Sequence, residues 1–426
     1  MSFTNFIRET LEETDFLDNN ENDERKSFFD HTYKNYKPFS RLTKKINFNN
    51  FKLKSNIKLN LSDSVGSYGD LITNLTVEIK MPEIFSSIRK KYGYTNALSH
   101  ALFESIELTI DGNLIDKQTS EWMDVWSELT VKPGLQKNYN YLIKKFESVD
   151  KNNFKGINTT TSSSVIYLPL HFWFCKNSST NNTMSFPIGA LYNSDVELHF
   201  NIRSAEDLVI DSLNGLTVEK NSINSKITEM NDQILEANLL VDYIILDEKS
   251  AEDLKTKQEQ YYLITQVQEN TRNIDVNTSN IIFPKINYLV TELIWVVIND
   301  DAAKNKNLYF SYGTDTTVNS KDPIKTTSIK FNGNERIEKL PSEYFQSVEP
   351  LIVHDNTPYS FVHCYSFSLN PEDFSQPSGI CNFNEISDIR FELEMDSTIS
   401  DSTFKLYAIN YNVLVINNGE GTLKYK

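Results

Sequence analysis

LITNLTVEI at residues 71–79 and LVTELIWVV at residues 289–297 read as one strand written twice, with Thr73 matching Thr291 at an offset of 291 − 73 = 218. The likeness extends outward in both directions. IELTIDGNLI (106–115) pairs with IKFNGNERI (329–337), so that Asp111-Gly112-Asn113 falls on Asn332-Gly333-Asn334 at an offset of 333 − 112 = 221. Asp-Gly and Asn-Gly are the residues a two-residue hairpin turn selects, because both central positions need positive φ. Ser120-Glu121-Trp122 then matches Ser342-Glu343-Tyr344, 342 − 120 = 222. Pro187-Ile-Gly189 precedes an alternating run at 196–202, as Pro377-Ser-Gly379 precedes one at 389–395; here 377 − 187 = 190, so the second copy is shorter before this point. Four matches in one order indicate a β-rich module used twice.

Period two dominates from residue 43 onward. LTVEIKM (75–81), IELTI (106–110), DVELHFNI (195–202), IRFELEM (389–395) and FKLYAINYNVLVI (404–416) alternate apolar with polar, as half-buried strands do. INFNNFKLKSNIKLNL (46–61) alternates imperfectly. Helical period is rare. In SEWMDVWSEL (120–129), Trp122, Val125, Trp126 and Leu129 fall on one helical face, with Ser120 the expected N-cap and Glu121 and Asp124 in the first turn. The stripe is core spacing, although two tryptophans could also stack sugars. Residues 1–26 place Phe3, Ile7 and Leu11 at four-residue intervals. That segment reads either as a short amphipathic arm that orders against a partner or as a frayed end.

The chain has 426 residues and a formal charge of −16, which disfavours gripping nucleic acid phosphates. The lysines at 44, 45, 52, 54 and 58 read as the solvated face of a strand. Cys175, Cys364 and Cys381 cannot build a disulfide framework, which fits a reducing compartment. The N-terminus lacks the apolar core of a signal peptide. LVTELIWVVI (289–298) is too short to span a bilayer.

HCYSFSLNPEDFSQPSGICNF (363–383) gathers His363, Cys364 and Cys381 and poses the question of a metal or thiol site. YSFSL (365–369) alternates like a strand, and Asn370-Pro371 through Pro377-Ser378-Gly379 is turn chemistry. His363 and Cys364, as neighbours on a strand, point to opposite faces. Cys364 and Cys381 are expected to be small buried hydrophobes. HFWFC (171–175) spaces His171 and Cys175 as metals can use, but Phe172, Trp173 and Phe174 mark a buried strand. HExxH, HxH, GxSxG and GxxxxGK[ST] are absent from the sequence. No catalytic, cofactor-binding or metal-ligating residue is expected, and no enzyme.

Several segments resemble one family. SFFDHTYKNYKPF (27–39), YGDLITNLTVEI (68–79), DGNLIDKQTSEWMDVWSEL (111–129), YLPLHFWFCKN (167–177) and SFSLNPEDFSQPSGICNFNEI (366–386) are similar to the major capsid proteins of nucleocytoplasmic large DNA viruses, the iridovirus and phycodnavirus group. The resemblance implies an all-β double jelly roll: two eight-stranded antiparallel sandwiches in one chain, with a few short helices. The resemblance sets two bodies on the divisions that composition gives: the acidic, polar residues 1–26 as an N-terminal arm, 27–210 as the first jelly roll, the acid-rich stretch without strand alternation at 211–238 as a linker, and 239–426 as the second jelly roll. It further implies a homotrimer with pseudo-hexagonal outline, neighbouring capsomers, minor capsid proteins, indirect association with an internal membrane, and no direct nucleic acid contact. The product would be the outer capsid shell of a virion assembled in the host cytoplasm. A jelly-roll carbohydrate-binding or attachment protein is the alternative, which a glycan screen discriminates.

Overall fold

The computed structural model describes residues 38–62, 68–84, 91–145, 164–175, 184–213, 217–218, 225–274, 279–316, 320–396 and 401–425. The expected arm at 1–26 and most of the 27–39 segment lie outside the described residues.

Among the described residues four antiparallel sheets build the two bodies, three of four strands and one of six, and a small three-stranded sheet of Thr217–Val218, Val209–Leu213 and Lys91–Tyr94 lies beside them. Sheet I runs Phe39–Asn47, Ala237–Leu246, Leu71–Met81, Ser164–Pro169. Sheet II runs Asn56–Asn60, Val196–Ile202, Phe103–Ile110, Asn113–Thr119. Sheet III runs Glu259–Ile274, Ser402–Asn417, Leu289–Asn299, His363–Ser366, with Cys381–Asn382 and Glu420–Leu423 added beside it. Sheet IV runs Ser279–Ile282, Ile389–Met395, Ile324–Phe331, Asn334–Pro341. The inner faces of sheets I and II share one core, including Val77, Ile79, Leu239, Val241, Ile106, Leu108, Leu198 and Phe200. Those of sheets III and IV share another, with Leu293, Trp295, Val297, Leu406, Ile329, Phe391 and Leu393. Facing sheets that bury alternate side chains against each other are a sandwich.

The doubling read from sequence falls on equivalent places. Residues 71–79 form the third strand of sheet I, and 289–297 the third of sheet III. The two Asx-Gly turns close the same hairpin in sheets II and IV, with Asp111 at φ 49° and Gly112 at 73°, and Asn332 at 50° and Gly333 at 81°. Consecutive positive φ values are what a type I′ turn requires, so glycine holds the second position in both.

The sheets correct three expectations. Ala237–Leu246 pairs with Phe39–Asn47 and Leu71–Met81, so the expected start of the second body at 239 cuts through a strand of the first. The polar stretch before it holds the strand Val209–Leu213 and the helical turn Ser225–Glu229, and its composition disguised the strand that follows. The passage between the sandwiches is the helix Glu248–Thr256, which has no buried residue and whose N-cap Asp247 accepts a bond from the Ser250 amide at 3.1 Å. HFWFC is not a strand: residues 173–175 turn, and Phe172, Trp173 and Phe174 all enter the first core, which an alternating strand cannot do. Cys381 is only half-buried, at the end of sheet III, unlike Cys364. Among the described residues, no helix is long and apolar enough to cross a membrane.

Candidate functional site: the seam between the sandwiches

Sheet III is covered on both faces. Along Leu289–Asn299 nearly every residue is buried: Leu293, Trp295 and Val297 face the second core, while Ile294, Val296 and Ile298 face a separate cluster. That is why the run reads as continuous apolar sequence. The cluster's other wall is the helix Ser120–Thr130, which follows the hairpin of sheet II. Its predicted stripe of Trp122, Val125, Trp126 and Leu129 lies against Ile294, Val296, Ile298, Cys364, Tyr407 and Ile409. Met123, on the opposite side, joins the first core. The helix is thus a staple with one face in each sandwich, and only Glu121 of its eleven residues is not buried. Trp126 stacks on Trp122 at 5.2 Å and on Phe374 at 5.9 Å, and Trp122 meets Tyr407 at 5.1 Å.

Ser120 is the first helical residue, not the cap. Thr119 occupies that position, and the Ser120 hydroxyl donates to the His100 carbonyl at 3.0 Å. The helix C-terminus is closed from the other sandwich. Asn356 donates its backbone amide to the Leu129 carbonyl and its side-chain amide to the Glu128 carbonyl, both at 3.0 Å. The Tyr359 amide donates to Glu128 Oε2 at 3.0 Å. These bonds supply partners for carbonyls that a helix end leaves open.

Beneath the stripe, Asp124 is a buried hub. Its carboxylate accepts from Lys145 Nζ at 2.7 Å, Tyr312 O–H at 3.1 Å and His100 Nδ1 at 3.4 Å. Lys145 also reaches Glu128 Oε1 at 2.6 Å. Burial alone pushes the Asp124 carboxyl up, but the charge of Lys145 and the His100 bond outweigh it and hold it below the usual carboxylate range. His100 and His171 are both lowered, chiefly by burial, the latter to about 3. Neutral imidazoles fix the donor order: His171 Nε2–H to Tyr139 oxygen at 2.9 Å, Tyr139 O–H to His100 Nε2 at 3.0 Å, His100 Nδ1–H to Asp124. His171 is thus a member of a hydrogen-bonded chain, not a partner of Cys175.

A second carboxylate marks the far side of the seam. Asp116 Oδ1 accepts from its neighbour Lys117's amide at 2.9 Å and from the Val267 amide, across the seam, at 3.4 Å. Gln266 donates to the Ile115 carbonyl beside it. Burial raises the Asp116 carboxyl to about 7. A raised folded value means the stabilising neutral form is full below the unfolded value near 4 and is lost as pH rises through about 7. Asp116→Asn, which keeps the accepting oxygen, is therefore expected to match the unaltered protein at acid pH. It should gain on the order of 4 kcal/mol relative to it by pH 8. Urea denaturation at both pH values checks this.

His363 and Cys364 point to opposite faces, as read from the sequence. His363 stacks on Trp295 at 5.9 Å and bonds Asp322 at 2.9 Å, while Cys364 faces the seam. There it meets Glu292 and His354, which sequence reading did not single out. His354 Nε2 lies 2.6 Å from Glu292 Oε1 and Nδ1 lies 2.9 Å from Glu372 Oε1. Burial would lower His354, but the Glu292 charge and the surrounding bonds raise it well above its ordinary value. Burial pushes the Cys364 thiol up to about 12. The detectable signal was Glu292 itself, a charge inside LVTELIWVV, since a buried charge requires a partner.

Two fused sandwiches, stapled by a helix of one against the seam-facing side of sheet III of the other, make a double jelly roll. Comparison with known proteins agrees. Residues 27–247 match the family model described as "Major capsid protein N-terminus", and residues 253–422 match "Large eukaryotic DNA virus major capsid protein". The chain belongs to the major capsid protein family of large eukaryotic DNA viruses. It is a structural protein of the virion capsid. It is 28% identical over 422 residues to the major capsid protein of Pyramimonas orientalis virus, covering 94% of this chain and 93% of that one. It is 22% identical over 402 residues to that of Invertebrate iridescent virus 3, covering 84% of each. In fold it is similar to PBCV-1 VP54, with a TM-score of 0.73 at 21% identity, covering 94% of this chain and 100% of that one. The Faustovirus major capsid protein gives a TM-score of 0.70 at 12% identity, covering 92% and 93%.

Proposed function

We propose that three copies of this chain close into a capsomer with a near-hexagonal outline, which tiles with its neighbours as the outer shell. The supporting observation is the equivalence of the two sandwiches: strand order, hairpin turns and following helical segments repeat, so two bodies in each of three chains give six similar corners. Its role there is structural, without catalysis. At a net charge of −16 the chain is suited to a shell separated from the genome, with minor capsid proteins and an internal membrane beneath and assembly in the host cytoplasm.

The face between copies includes an exposed apolar stripe. Val348, Leu351 and Ile352 fall at i, i+3 and i+4 on the helical stretch 344–353, with Leu351 74% and Ile352 69% exposed. Side chains of this kind gain on the order of 2 kcal/mol each when covered. Leu351→Glu/Ile352→Glu is expected to convert trimers to monomers at micromolar concentration with an unchanged far-UV circular dichroism spectrum. Light scattering coupled to size exclusion checks it, and trimers persisting in the double variant would remove the stripe from the interface.

A further inference from the structure

Glu292, His354 and Cys364 bring one donor atom each to a common point, all three within 4.8 Å of one another. The topology assembles them from three segments. Glu292 pairs opposite Ser366 and Ile294 opposite Cys364, so antiparallel register sets Glu292 and Cys364 on the same face of sheet III. A bulge at Thr291 adjusts that register just before Glu292. His354 arrives from the end of the helix Glu349–Val353, its amide bonded to the Pro350 carbonyl at 2.9 Å. Glu372 Oε1 holds Nδ1 and is itself fixed by the Asp355 amide at 2.9 Å, so Nε2 is turned to Glu292. The side chains of Glu292 and His354 are fully buried, and Cys364 is 0% exposed.

A second observation is independent of the clustering. Glu292 Oε2 is buried and has no hydrogen-bond partner. An orphaned carboxylate oxygen in a dry interior is costly unless something electropositive meets it.

We propose that Glu292, His354 and Cys364 form a structural binding site for a zinc-class divalent cation, with Glu372 orienting His354 through Nδ1–H. Thiolate, imidazole and carboxylate together suit Zn²⁺ and disfavour Mg²⁺ or Ca²⁺, which take oxygen alone. A carboxylate behind the distal ring nitrogen is the support such a histidine ligand ordinarily has. Tetrahedral zinc needs donors about 3.3–3.8 Å apart, so the ion replaces the short Nε2 to Glu292 hydrogen bond and parts the two groups by about 1 Å. Binding forms bonds to Sγ, Nε2 and a Glu292 oxygen and releases the thiol proton and the Nε2 proton to solvent. The second Glu292 oxygen lies too close to the first to fill a separate tetrahedral corner, so it strengthens the carboxylate's hold on the ion while a water takes the fourth position. The ion would pin the central and edge strands of sheet III to the 354 loop, directly under Trp126, whose ring meets His354 at 6.2 Å. The sequence pointed to no metal ligand because the three residues are spread over 292–364 without a spacing motif.

The test uses the full-length folded protein, loaded with Zn²⁺, desalted and analysed for metal, then reloaded with Co²⁺. One retained zinc per chain, a melting temperature that falls on chelation, and a near-ultraviolet thiolate-to-cobalt charge-transfer band are expected. Cys175→Ser/Cys381→Ser leaves Cys364 as the remaining thiol of three and should keep that band. Cys364→Ser should abolish it and bring retained zinc to background, and Glu372→Gln should weaken zinc binding about 10–100-fold. Zinc at background in the folded unaltered protein, or no cobalt–thiolate band in the double variant, would overturn the proposal whether or not Cys364→Ser folds. A band that survives in folded Cys364→Ser would do the same.

Discussion

Asp124→Ala is expected to destabilise the protein by about 3–5 kcal/mol, because removing one member of a buried ionic cluster strands the others. Lys145 keeps Glu128 at 2.6 Å but loses its bond to Asp124 at 2.7 Å. Tyr312 and the His100–Tyr139–His171 chain lose the acceptor on which they converge. Asp124→Asn preserves shape and should cost less. The effect is also pH-dependent in a defined direction. Because the folded carboxyl sits below its ordinary value, its contribution is complete above the unfolded value near 4 and disappears as pH falls through the lower folded value. The gap in denaturation free energy between unaltered protein and Asp124→Ala should therefore be constant at neutral pH and narrow in acid. A gap that widened in acid would contradict this assignment of charge.

Trp126→Ala is expected to cost a similar 3–5 kcal/mol, by a different route. The indole fills the seam between Trp122 and Phe374 and meets His354 edge-on, so its loss opens a cavity that several rings border. The staple then holds the second sandwich by Trp122, Val125 and Leu129 alone. The denaturant midpoint should fall, and one cooperative transition should separate into two as the sandwiches lose their shared core. A surface tryptophan would show neither change. Intrinsic fluorescence and far-UV circular dichroism, followed in parallel through guanidinium, distinguish these outcomes.

The parts of this architecture that sequence exposed are those with a local signature. Strands 196–202 and 389–395 alternate because one face of each meets a core and the other does not. The paired Asx-Gly turns declare themselves because few residues accept two positive φ values in succession. The helical stripe at 122–129 was readable as a buried face, but nothing local says that its partner is the outer face of a strand some 170 residues on. The strand at 237–246 reads from sequence as part of the second body because the acidic residues before it resemble a linker, and composition does not reveal which sheet a strand joins. Glu292 and His354 have no motif between them; they meet only through strand register and the end of a short helix. Buried polar groups are the least legible feature because their partners are set by tertiary packing alone.

The most direct test of the doubling at the centre of this account is a projection image of the purified, assembled protein at low resolution. Two equivalent sandwiches per chain in a closed trimer predict particles of three chain masses with six similar peripheral lobes. Particles with three lobes, or a field of single chains at micromolar concentration, would contradict it.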